Sequence, residues 1–208
     1  DGEEFCECTD SWGYSRMAYP IKGEFCFRGQ INFAMAAHLG YLEKGIFATR
    51  KVVTLEEGLI LIADVFYGSG THKYHSRFHF GRQGRASLLE DGSAGPVRVR
   101  FEGRRVRAEL FALKGTGSLS EAECSPEYNL LTACDCLTVH DTQEGQASLY
   151  TVISASAQAQ DVSAELIPVS KVRSGERLSP LQAEGIRIRK NGTEHVVILC
   201  HQELISEV

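Results

Sequence analysis

Three groups of side chains in this sequence are of types that do chemistry. They are the histidines His72, His75 and His79, the pair His38 and Tyr41 around Gly40, and an arginine-rich stretch with Arg98, Arg100, Arg105 and Arg107. The histidines invite a metal reading, which strand geometry tests directly. On a β-strand His75, Arg77 and His79 share one face, while His72 joins Tyr74, Phe78 and Phe80 on the other. Ligands must converge on one ion at about 2 Å, yet the His75 and His79 backbones lie roughly 13 Å apart on an extended chain. These three therefore make no metal site by themselves. The expectation is packing for His72, and a face turned to solvent or to a ligand for His75, Arg77 and His79.

His38 and Tyr41 are proton-transfer types. His38 follows the apolar residues 33–37 and precedes Gly40, as a strand end and its turn would, so a structural role competes with a substrate contact. Asp64 closes an apolar run before Gly68-Ser69-Gly70 and is expected to fix that turn. Guanidinium groups bind sulfate or carboxylate bidentately, so Arg98, Arg100, Arg105 and Arg107 on one hairpin could hold a polyanion. The competing reading is a solvated sheet face on which Glu102 and Glu109 pair them. No phosphate loop, nucleophile elbow or zinc-protease helix motif occurs. No residue is assigned as catalytic, and none as a metal ligand.

Those side chains must be positioned by strands, because no stretch keeps helical periodicity. Val97, Val99 and Phe101 alternate with Arg98 and Arg100; after a turn at Gly103, Val106, Ala108 and Leu110 alternate with Arg105, Arg107 and Glu109. Residues 47–55 and 59–66 read as a hairpin, and 71–80 as the next strand. Strands resume at 130–139, 147–154 and 162–169. At the end, Asn191-Gly192 supplies the two positive-φ residues of a type I′ turn, which also accounts for the glycosylation-like Asn191-Gly192-Thr193. Residues 1–22, with Trp12, Tyr14 and Tyr19, read as an ordered loop. The Gly-, Ser- and Glu-rich residues 114–126 read as a linker or long loop and a possible sub-boundary. The fold expected is all-β: one antiparallel β-sandwich over 1–208, supersandwich-like, with long loops and little or no helix.

At 208 residues and 43% hydrophobic content the chain can bury a core without staples. The net charge of −5 argues against general attraction to polyanions, so nucleic acid is not expected as a partner and an acidic glycan would need a local basic patch. No apolar run approaches the roughly 20 residues of a membrane span, and no membrane partner is expected. The 7 cysteines are odd in number. Cys6 and Cys8, like Cys134 and Cys136, are two apart, about 6.6 Å on a strand and at the edge of disulfide reach. A four-cysteine zinc site from both pairs is the alternative, although such sites usually use a two-residue spacer; reduced thiols serving as small hydrophobes are the expectation.

The order Ala37-His38-Leu39-Gly40-Tyr41, Thr49-Arg50-Lys51, Asp64 and His72, continuing to Ser125-Pro126-Glu127-Tyr128, resembles the carboxyl-terminal β-sandwich portion of the heparinase II/III-like polysaccharide lyases. The resemblance implies a sandwich preceded by an α/α toroid, and cleavage of uronic-acid-containing polysaccharide by β-elimination. The family's His-x-His, Asp-x-Gly and His-Asn motifs, which supply a catalytic His and metal ligands, do not occur here. The opening Asp1-Gly2 resembles the end of the Val-Asp-Gly turn that follows the His-Asn strand, so the chain is expected to be an excised piece that is inactive alone. The resemblance further implies no cofactor in this piece, a divalent metal such as zinc or calcium upstream, and as partners an acidic polysaccharide and the toroid. Its substrate contacts are expected among His38, Tyr41, His75, Arg77, His79, Arg98, Arg100, Arg105 and Arg107. A stand-alone glycan-binding or structural module is the alternative. The compartment stays open between cytoplasmic and periplasmic or secreted in a bacterium.

Overall fold

The computed structural model describes residues 1–10 and 12–201 of the chain. In chain order the strands are β1 (Glu7–Cys8), β2 (Tyr14–Arg16), β3 (Pro20–Arg28), β4 (Ile31–His38), β5 (Phe47–Glu56), β6 (Leu59–Tyr67), β7 (Thr71–His79) and β8 (Gly84–Asp91). They continue as β9 (Val97–Gly103), β10 (Arg107–Ala112), β11 (Thr116–Glu127), β12 (Leu130–Glu144), β13 (Ala147–Ser156), β14 (Val162–Ile167), β15 (Ala183–Lys190) and β16 (Thr193–Cys200). Among the described residues the one helical element is a 3-10 turn at Leu42–Lys44. The chain forms two compact units, Asp1–Ala159 and Gln160–Val208.

The first unit is an antiparallel β-sandwich. One sheet has eight strands in the order β3-β4-β5-β6-β13-β10-β9-β8, the other three in the order β11-β12-β7, and β1 and β2 form a separate small hairpin. The strict alternation in β9 and β10 does what it predicts. Val97, Val99, Leu110 and Ala112 point from the large sheet into one cluster with Leu137 and Val139 of the small sheet, and Phe78, Leu88 and Leu119 pack around it. A second cluster joins Tyr74 of β7 to Ala147 and Leu149 of β13, with Phe66 against it. Leu137 and Val99 are both 0% exposed, so these contacts close the sandwich.

Three elements differ from the sequence reading. Residues 114–126 are not a linker: β11 pairs with β12 from Thr116↔His140 to Cys124↔Thr132. Its alternating exposed and half-buried residues explain the misreading, since an edge strand with one wet face carries the same Gly, Ser and Glu that loops do. Strand β8 lies in a stretch to which no element was assigned, and residues 1–22 contain the β1–β2 hairpin rather than loop alone.

The second unit is a three-stranded sheet, β14-β15-β16. Lys190 pairs with Thr193 across Asn191 (φ 49) and Gly192 (φ 84), the two left-handed residues of the expected tight turn. Ile186 and Ile188 are fully buried, while Arg187 and Arg189 bridge Glu165 and Glu194 on the opposite face.

Leu137→Ala removes a side chain that touches both sheets, and its expected cost is about 3 kcal/mol of unfolding free energy. Urea unfolding followed by tryptophan-independent circular dichroism checks this, and a loss below about 1 kcal/mol would mean that the small sheet is not held by this cluster.

Candidate functional site

The site is built where the end of β4, the 3-10 turn and strand β7 meet the opening segment. A pocket of about 140 Å³ lies there, with Tyr41, Lys44, His72, Lys73, His75 and Arg77 among its walls and Asp1 to Glu4 along one side. All these residues belong to the first unit.

Tyr41 is held by its backbone: its carbonyl accepts from the N–H groups of Lys44 (3.0 Å) and Ile46 (3.2 Å). Gly40 is required beside it, because a Cβ there would stand 2.8 Å from both Cβ and the carbonyl oxygen of Phe5. That close approach sets the Phe5 ring tilted against His38 and edge-on to Tyr41, with ring centroids 5.2 and 6.5 Å away, and His38 lies 5.5 Å from Tyr41. His38 Nδ1 accepts the Gly40 N–H at 3.1 Å, so the neutral ring carries its proton on Nε2. Burial first, then the Arg50 charge, pushes the His38 pKa down, with Asp64 opposing. The Tyr41 phenol is pushed up, by burial first and then by Glu4. It therefore stays protonated and can act as a hydrogen-bond donor rather than as a base.

Asp64 does not fix the glycine-rich turn. It sits directly across from Arg50 on β5 and takes a bidentate pair, Nε to Oδ1 at 2.5 Å and Nη2 to Oδ2 at 2.8 Å. The same bond is the main reason the Arg50 pKa is raised.

Strand β7 supplies the other wall. Lys73, His75, Arg77 and His79 are exposed, while Tyr74 and Ser76 are buried, which is the alternation read from the sequence. Tyr74 stacks on Phe66 at 4.4 Å beneath the pocket. His72 faces an oxygen acceptor at each ring nitrogen, the Asp1 carboxylate at 2.8 Å and the Ser69 carbonyl at 3.0 Å. His75 opposes His140 on β12 with the rings edge to face at 4.6 Å. Burial, then His140, pushes the His75 pKa down. His79 lies further along β7, opposite Cys136.

The arginines lie elsewhere. Arg98 and Arg100 project from β9 on the face opposite to Val97 and Val99, away from the small sheet. Both guanidiniums bind Glu109 from two nitrogens each, at 2.8 to 3.1 Å. Arg107 pairs with Glu102 at 2.8 Å, and Arg105 is exposed in the turn. Thus Tyr41, His75 and Arg77 share one pocket with His38 behind it, whereas Arg98, Arg100 and Arg107 form a separate, carboxylate-paired ladder with Arg105 exposed beside it. Lys44 and Lys73 escaped the sequence reading, because an isolated lysine has no motif and only the fold brings the two together. All seven cysteines are free thiols, with Cys134 and Cys136 buried on β12. Among the described residues, no three His, Cys, Asp or Glu side chains are grouped to hold a metal ion.

The family described as heparinase II/III-like, C-terminal, matches over residues 1–165. No curated protein matches the sequence. Several solved structures share the fold. Heparan sulfate lyase HepC from Pedobacter heparinus is 11% identical with a TM-score of 0.67, the match covering 88% of this chain and 28% of that one. A heparinase III, the BT4657 gene product with methylated lysines, is 13% identical (TM-score 0.65; 86% of this chain and 27% of that one). Another heparinase III is 14% identical (TM-score 0.63; 90% and 28%). The chain spans little more than a quarter of the length of these proteins.

Three outcomes follow from the electrostatics. A depressed histidine pKa adds stability that is fully present above the unfolded-state value of 6.5 and is lost as pH falls through the lower folded value. His38→Gln should therefore lose less stability than the parent chain between about pH 7.5 and pH 5, as read by urea unfolding at each pH. Glu109→Gln, which takes the countercharge from two half-exposed arginines, should cost roughly 1–2 kcal/mol. Arg105→Ala should stay within about 0.5 kcal/mol in the same assay.

Proposed function

The chain belongs to the heparinase II/III-like, C-terminal family, and on that footing we propose that it forms the sandwich portion of a polysaccharide lyase acting on uronic-acid-containing polysaccharide by β-elimination. In that reaction the proton beside the uronate carboxylate is removed, the carboxylate charge is neutralised, and the glycosidic oxygen leaves to give an unsaturated sugar. This chain contributes a wall of the binding cleft. The base, and any divalent metal such as zinc or calcium, belong to an upstream part of the longer protein together with the α/α toroid.

One observation carries the assignment of the wall: an acidic chain, net −5, gathers Lys44, Lys73, His75 and Arg77 around one small pocket beside a protonated tyrosine. The cations Lys44, Lys73 and Arg77 attract uronate carboxylates or sulfates, and the phenol hydrogen-bonds a hydroxyl or ring oxygen. Arg98 and Arg100 are poorer candidates, because both are fixed on the buried carboxylate of Glu109, whereas Lys44 and Arg77 face exposed glutamates.

The chain alone should release no ultraviolet-absorbing unsaturated product from heparan sulfate, chondroitin sulfate or alginate, whereas the full-length protein should do so from one of them. Such a product from this chain alone would overturn the division of labour. Lys73→Ala with Arg77→Ala should weaken binding of the preferred acidic oligosaccharide about tenfold at low salt and less at high salt. Unchanged affinity would remove the pocket from the binding surface.

A further inference from the structure

The opening residues do more than border the pocket. Asp1 pairs with His72 (2.8 Å), Glu3 with Lys44 (2.5 Å) and Arg16 (3.5 Å), and Glu4 with Arg77 (3.4 Å). Three carboxylates from four consecutive residues thus meet three basic side chains of one pocket. Building on the glycan-binding reading, we propose that this pocket is a subsite for an oligosaccharide bearing neighbouring carboxylate or sulfate groups. Asp1, Glu3 and Glu4 stand where those groups bind, and the ligand exchanges its anions for theirs.

The contrast with Glu109 supports displacement. Glu109 is 7% exposed and locked between two arginines, whereas the side chains of Glu3 and Glu4 are 43% and 67% exposed. Exposed ion pairs of that kind are weak and screened by salt, so exchanging them for a ligand's anions costs little. Residues 1–4 lie outside any strand. Phe5 is anchored by its approach to Gly40 and its ring contacts with His38 and Tyr41. The backbone of the segment is itself held, Asp1 Oδ1 accepting the Lys73 N–H at 3.0 Å, so it is the exposed side chains of Glu3 and Glu4 that can turn away into solvent.

The test compares binding of a heparin-derived hexasaccharide by titration calorimetry to the parent chain, to Glu3→Gln with Glu4→Gln, and to Glu165→Gln with Glu176→Gln. The last pair makes the same charge change at ion-paired glutamates of the second unit. Expected is about five- to thirtyfold tighter binding for the first variant, shrinking as salt rises, and less than about twofold for the second. An equal gain in both would reduce the effect to net charge and overturn the proposal. No gain in the first variant, while Lys73→Ala with Arg77→Ala still weakens binding, would overturn it and leave the glycan-binding pocket standing. Failure of every form to bind the hexasaccharide, with unfolding midpoints unchanged, would remove both.

Discussion

The packing of the small sheet β11-β12-β7 on the β13-β10-β9-β8 end of the large one is the constraint on which the rest depends. Side chains on a strand alternate with a period of two, so once Val97, Val99, Leu110, Leu137 and Val139 are buried in the shared cluster, every neighbouring residue has its side assigned. Arg98 and Arg100 are sent to the far face, and Lys73, His75 and Arg77 to the outer side of β7. A slip of one residue in either strand would bury charges and expose the core.

Within that frame the sequence's positive charge serves two ends. On β9 and β10 it is consumed locally: Glu109 is directly opposite Arg100 and close to Arg98, and its two oxygens each take a guanidinium. Such cross-strand pairs settle the register of a wet sheet face. Around the pocket the basic groups come from two separate places, the 3-10 turn and β7, and Lys44 and Arg77 have exposed glutamates as partners. The first arrangement is buried on its acidic side, and the second is open to solvent on both sides.

Much of the fold was legible. The alternation at 97–101 and 105–111, the hairpin at 47–66 and the Asn191-Gly192 turn are local patterns, and each forms the expected strand or turn. What misled was composition: β11 is polar enough to read as a linker, and is a strand only because β12 lies beside it. The match of Ala37-His38-Leu39-Gly40-Tyr41 and the later positions to the heparinase II/III-like family agrees with the family match over 1–165.

For the strands that alternate clearly, such as 97–101, the sequence by itself determined which residues share a face, because that follows from a two-residue period and needs no partner. It also determined the fold class and the family. Only the tertiary structure decided which of those faces meet. Lys44 and Arg77, thirty-three positions apart in the numbering of the chain, line one pocket because a turn and a strand from different sheets are brought together. Arg98 and Arg77, equally basic in the sequence, differ because one finds a buried carboxylate and the other an exposed one. Asp64 likewise acquires its role from Arg50 on the next strand. Partner identity depends on contacts distant in sequence, and those are set by the packing of the sheets.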